Sequence, residues 1–229
     1  MCGRFTNKLT WAEIHALYQI TSPPLNFEAR YNIAPTQRVP VVRRTEDGGR
    51  SLSMLHWGLV PFWAKDRTIA FKTINARTET IATTPAFRAA FRQRRCLVPA
   101  SGFYEWVLEG KAKQPLYITH ADGSPLTFAG LWERWDKDGE PLESFTIVTT
   151  QANATCSPIH DRMPVILGRS DFAAWLDPHT TVDDAQALLR PCADDALTMW
   201  KVDAKVNRSA KGAVDDASCI EPLAQTSLL

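Results

Sequence analysis

The chain has few paired signals among its cysteines, almost no net charge and no long apolar run, and each shortage removes a class of protein. Its five cysteines, Cys2, Cys96, Cys156, Cys192 and Cys219, are odd in number and widely spaced. They form no C-x-x-C pair, and no histidines cluster at zinc-ligand spacing. A disulfide framework and a structural zinc are therefore not expected, a reducing cytoplasm fits best, and no cofactor or metal is called for. The formal net charge is only +1, too little for a protein that coats nucleic acid non-specifically, because such binding needs many Lys and Arg to displace counterions. The opening MCGRFTNKLT has no apolar signal-peptide stretch, and no segment is apolar for long enough to span a membrane. Internal repeats, low-complexity tracts, a convincing linker and doubly wound strand–helix alternation are all missing too.

What is present reads as one unit, residues 1–229, with 45% hydrophobic residues to build a core. Helical signals are short. Thr10 with Glu13 makes a capping box for a helix through Tyr18, and Thr84-Pro85 opens one towards Arg94. Ser170 begins another, and Thr181 with Asp184 begins a fourth through Leu189. Strands are expected at Arg38–Arg44, Leu52–Leu59, Phe71–Arg77, Cys96–Ala100, Phe103–Val107, Leu116–Thr119, Leu126–Trp132, Phe145–Thr150, Met163–Leu167 and Leu197–Val202. Turn signals such as Asp47-Gly48-Gly49, Glu109-Gly110, Asp122-Gly123 and Asp138-Gly139 separate several of them and favour hairpins. The fold class expected is α+β: a mainly antiparallel, partly closed, barrel-like β-sheet core with short peripheral helices.

Four places carry chemistry. Removal of Met1 leaves Cys2 with a free α-amine beside its thiol. An α-amine has a pKa of about 7.7–8.0, so part of it is unprotonated at neutral pH and attacks aldehydes, after which the thiol closes a five-membered thiazolidine. The plainer alternative is a small buried hydrophobe near a docked terminus. In Ile74–Thr80, strand alternation puts Asn75, Arg77 and Glu79 on one face, either a solvated face or a place to hold a phosphodiester bidentately. Glu105 stands among the aromatic and apolar residues of PASGFYEW, where desolvation raises a carboxyl pKa towards neutrality; an ordinary strand Glu is the alternative. His160, bracketed by Pro158 and Pro164, is the best general acid/base of the five histidines, although His56 within a strand is harder to dismiss. Between Asn75 and Arg95 five arginines face one acid, so positive charge is segregated there; Arg88, Arg92 and Arg95 at helical spacing read as a solvated face rather than a binding site.

Six segments in order, MCGRF, ARYNIAPTQ (Ala29–Gln37), WGLVPFW (Trp57–Trp63), INARTET (Ile74–Thr80), CLVPASGFYEW (Cys96–Trp106) and HDRMPVIL (His160–Leu167), resemble those of the SOS-response-associated peptidase (SRAP) family of abasic-site-processing proteins. The resemblance implies a domain that binds single-stranded DNA and crosslinks its N-terminal cysteine to an abasic site. On that reading Cys2 is the nucleophile, Asn75 positions the amine, Glu105 shuttles protons and His160 acts on the sugar hydroxyl. Arg4, Arg77 and Arg162 grip phosphates, Trp63 and Trp106 stack on bases, and Asn32 and Pro35 complete the DNA-binding surface. A monomer is expected, with a latent lyase activity and autocatalytic removal of Met1 as further consequences. Two rivals stay open: a thiol peptidase with Cys2, His160 and Asn75 as its Cys-His-Asn set, and a non-covalent reader of single-stranded DNA. The tail beyond Pro178 carries no assigned role.

Overall fold

A computed structural model of the chain describes residues 2–209 and 212–223. Its strands are β1 (Phe5–Asn7), β2 (Arg30–Ile33), β3 (Arg38–Arg44), β4 (Arg50–Trp57), β5 (Asn75–Arg77), β6 (Arg95–Ala100), β7 (Gly102–Glu109), β8 (Ala112–His120), β9 (Leu126–Trp135), β10 (Leu142–Gln151), β11 (Arg162–Pro164) and β12 (Leu197–Lys201). Four short helices, α1 (Trp11–Tyr18), α2 (Arg88–Gln93), α3 (Phe172–Leu176) and α4 (Val182–Ala187), lie among them. No described helix is long and apolar enough to cross a membrane.

The strands β10-β4-β3-β6-β9 form a ring that β9 closes by pairing back onto β10. Such closure leaves no free edge among these five strands. All six residues of β6 are buried, as expected of a strand covered on both faces, and after Arg95 the run is uncharged without alternation. Gly130 lets β9 pass between its neighbours: a Cβ there would stand 2.8 Å from Cys96 Sγ and 3.2 Å from the Thr146 carbonyl. Apart from the parallel pairings of β10 with β4 and β5, the sheets are antiparallel. A second sheet, β12-β8-β7-β1-β2, packs against the ring. Phe5 joins the two, with its ring 5.1 Å from Trp57 and 5.9 Å from Phe128 in edge-on contact. The α+β, barrel-like expectation is met.

Several local expectations need correction. Phe71–Arg77 is not one strand: Asp66 accepts the Thr68 amide at 2.8 Å and starts a 3-10 turn over Arg67–Lys72, so only Asn75–Arg77 is extended. The helix expected from Thr84 begins at Arg88, with Phe87 before it making no side-chain cap; Thr84 instead closes backbone turns to Phe87 and Arg88. The strand expected to reach Leu59 stops at Trp57, because Gly58 turns at φ +124. Arg95 is not on a solvated face. It is 4% exposed, donating to the carbonyls of Phe91, Trp175 and Asp177. The capping box at Thr10 forms as read, and Thr181 caps its helix by accepting the Asp184 amide, although that helix ends at Ala187 rather than Leu189.

Candidate active site

The position of Cys2 follows from strand register. β1 pairs antiparallel with β7 through Phe5 opposite Phe103, and the Tyr104 amide donates to the Arg4 carbonyl at 2.9 Å. Continuing that register lays the start of the chain beside Glu105. Cys2 is fully buried, and Asn75 Nδ2 donates to its carbonyl at 2.9 Å. Asn75 reaches it because β5 runs parallel to β10, with Asn75 opposite Ile147. Its Oδ1 is buried and makes no hydrogen bond among the described residues, which leaves an amide acceptor for a group that arrives later.

Burial pushes the Cys2 thiol well above its ordinary pKa, and the nearby Glu105 carboxylate pushes the same way. Glu105 itself is 5% exposed, and burial raises its carboxyl to about 7, opposed by the positive charge of the chain terminus. It is therefore near half-ionised at neutral pH, as a group that both takes and gives protons needs to be. Glu105, Trp106, Leu108, Lys113, His160 and Asn207 line one open cleft of about 570 Å³, within the usual range for a small-molecule site.

His160 is held by its own loop. Its Nδ1 accepts the Arg162 amide at 2.9 Å and lies 2.7 Å from Asp161 Oδ1. The two contacts require opposite tautomers, so a proton on Nδ1 selects Asp161 and a bare Nδ1 selects the Arg162 amide. Burial lowers the imidazole pKa, which keeps the ring neutral at pH 7.

The arginines divide. Arg77 is exposed at the end of β5, two residues beyond Asn75 on the same side of the strand. Arg162 is buried: Nη1 pairs with Glu79 Oε1 at 2.5 Å, and Nη2 donates to the Thr149 carbonyl at 2.5 Å. Arg4 is buried as well, with Nη1 donating to Asn32 Oδ1 and to the Val206 carbonyl, both at 2.5 Å. Asn32 Nδ2 donates to the carbonyls of Arg208 and Val214. Arg4 and Asn32 thus hold the tail rather than face solvent. Pro35 is half-buried in a turn that ends at Gln37. Trp63, 43% exposed, stands on the loop after Pro61 and does not line the cleft. The structure therefore gathers Cys2, Asn75, Glu105, Trp106 and His160, with Arg77 and Arg162 on strands flanking β10. Sequence reasoning missed Lys113, Leu108 and Asn207, which lie in a hairpin and the tail, and it grouped Glu79 with Asn75 and Arg77 without foreseeing its pairing with Arg162.

Comparison with known proteins follows the same lines. The family model described as SOS response associated peptidase (SRAP) matches residues 1–209. The chain is 41% identical over 212 residues to the abasic site processing protein YoaM of Bacillus subtilis, covering 90% of this chain and 93% of that one. It is 34% identical to the abasic site processing protein YedK of Escherichia coli, over 77% of this chain and 79% of that one. A crystal structure of a protein from Bacteroides thetaiotaomicron superposes with a TM-score of 0.87 at 26% identity, covering 97% of this chain and all of that one.

Proposed function

Because the chain belongs to the SOS response associated peptidase (SRAP) family, whose relatives YoaM and YedK are named abasic site processing proteins, we propose that it captures abasic sites in single-stranded DNA covalently through the amine and thiol of Cys2. The observation that carries this reading is the arrangement around Cys2: Asn75 on its carbonyl, and beside it a carboxyl poised near neutrality that also lines an open cleft with His160. An abasic deoxyribose is mostly a closed hemiacetal. Opening it moves a proton from the hydroxyl on its anomeric carbon to the ring oxygen, a transfer suited to Glu105 and to a neutral His160. The α-amine of Cys2, exposed once Met1 is removed, then adds to the aldehyde and loses water to form an imine. The thiol adds across that C=N bond: sulfur bonds to carbon, the thiol proton ends on nitrogen, and the ring closes.

The raised thiol pKa favours this order. A thiol held as S–H by burial and by Glu105 is a poor opening nucleophile, whereas closure onto an imine already attached to the same residue is helped by proximity. A cysteine peptidase needs the reverse, a thiolate stabilised by its surroundings, so the peptidase reading is the weaker one. Arg77 and Arg162 are assigned to the phosphates on either side of the lesion, Arg162 with its guanidinium already oriented by Glu79.

The test is incubation of the protein, with loss of Met1 verified by intact mass, with a single-stranded oligonucleotide carrying one abasic site and with an undamaged control. A heat-stable adduct on the damaged strand alone is expected, and Cys2→Ala should abolish it. That variant retains an α-amine without a thiol, so its imine should proceed to β-elimination and strand cleavage. Intact DNA throughout would remove the imine step.

A further inference from the structure

The tail after β12 folds back over the second sheet, and its first turn, Ala204–Asn207, ends at the cleft. Val202 and Val206 are fully buried against Tyr104, Tyr117 and Cys219, and Asp203 caps a 3-10 turn over Ala204–Asn207 by accepting the Lys205 amide at 2.7 Å. Packing of Val206 fixes where the next side chain goes. The backbone is also clamped on both sides of Asn207: the carbonyls of Val206 and Arg208 accept from Arg4 Nη1 at 2.5 and 3.5 Å, and that of Arg208 also accepts from Asn32 Nδ2 at 3.0 Å. Further on, Asp215 pairs with Arg30 and accepts the main-chain amides of Tyr31 and Asn32 at 2.5 and 2.7 Å.

With its backbone pinned, Asn207 uses both ends of its amide. Oδ1 accepts the indole N–H of Trp106 at 2.6 Å, and Nδ2 donates to the Lys113 carbonyl at 3.4 Å. The opposite demands of these two partners set which way the amide points. Trp106 thus has its N–H edge tied to the tail, the Arg4 guanidinium 5.9 Å from its ring centre and the Tyr104 ring 6.5 Å away, while it lines the cleft with Glu105 and His160.

We propose that Asn207 is a positioning residue, which through its bond to the indole N–H holds Trp106 as the platform for a nucleobase next to the captured site. The inference rests on the abasic-site reading and adds to it a tail residue that meets DNA only through Trp106. A half-exposed tryptophan without this bond samples other rotamers, and a base stacking on it must first select the right one. Stacking on an aromatic side chain is worth roughly one order of magnitude in affinity per base, so most of that factor depends on the tether.

The probe is a single-stranded oligonucleotide with a central tetrahydrofuran, an abasic analogue without the aldehyde, so that binding is read apart from capture. A second oligonucleotide replaces the neighbouring nucleotides on both sides with tetrahydrofuran too. Asn207→Ala should weaken binding to the first by about 10-fold and to the second hardly at all. In a Trp106→Phe background, which has no ring N–H, Asn207→Ala should cost nothing more. Equal loss on both oligonucleotides, no loss on the first, a full loss in the Trp106→Phe background, or a wild type that does not distinguish the two probes would each overturn the proposal. Adduct formation on a genuine abasic strand, measured alongside, separates the two failures: no adduct from wild type removes the abasic-site reading, while an adduct with Asn207→Ala behaving as wild type removes only the role of Asn207.

Discussion

Glu105 concentrates the cost of the site in one side chain. Its carboxyl titrates near 4.5 in an unfolded chain and at about 7 in the fold, because burial disfavours the charged form. Below about pH 4.5 both states hold the proton and nothing is lost. Between about pH 4.5 and 7 the unfolded chain releases that proton while the fold keeps it, so stability falls by about 3 kcal/mol relative to the acidic plateau, and it levels off above pH 7 once the folded carboxyl ionises too. Glu105→Gln removes the titration, so urea unfolding should find the variant more stable than wild type at pH 8 and similar to it at pH 4. A variant no more stable at pH 8 would mean that the carboxyl ionises there at no cost. The same substitution should erase any limb near pH 7 from the rate of adduct formation. This raised carboxyl was legible in the sequence, since one acid among Phe103, Tyr104 and Trp106 has few ways to stay hydrated. The buried and engaged Arg4 was not, because its partners lie at Asn32 and Val206, and a contact spanning some two hundred residues leaves no local pattern.

At the scale of elements, alternation and turn chemistry located the long strands of the ring well and the short ones poorly. β1 and β2 span only three and four residues, too few for a period to show, yet β1 is what delivers Cys2 to Glu105. β5 was read too long because Phe71 and Lys72 look extended until Asp66 caps the turn before them. Another local feature went unread: Ala34-Pro35-Thr36-Gln37 closes a turn through a 3.3 Å bond from the Gln37 amide to the Ala34 carbonyl, with Thr36 at φ +73. That geometry favours glycine at the third position, and a β-branched residue there costs about 1–2 kcal/mol. Thr36→Gly should relieve the strain, with a net gain of about 1 kcal/mol after the entropy cost of glycine, readable as a higher urea midpoint at unchanged slope. Since the turn also sets Pro35, a simultaneous loss of DNA affinity would mark the strain as functional, and unchanged affinity would mark it as incidental.

Across the whole molecule, the near-neutral charge and the division among the arginines set how binding responds to salt. A protein of net charge +1 must contact phosphates with a few placed cations rather than a general field. Arg77 is exposed beside the site, whereas Arg4 is buried with its Nη1 on two tail carbonyls and Asn32, where it ties the two ends of the chain together. Each phosphate contact on single-stranded DNA contributes a slope of about −0.7 in log affinity against log salt. Arg77→Ala, measured on the tetrahydrofuran strand between low and moderate salt, should therefore make that slope shallower by about 0.7. Arg4→Ala should leave the slope where it is and lower the melting temperature instead, since it unpins the tail rather than releasing a counterion. A shallower slope in Arg4→Ala would show that Arg4 leaves its carbonyls for a phosphate when DNA binds, and the cleft wall built on Asn207 would then have to move with it.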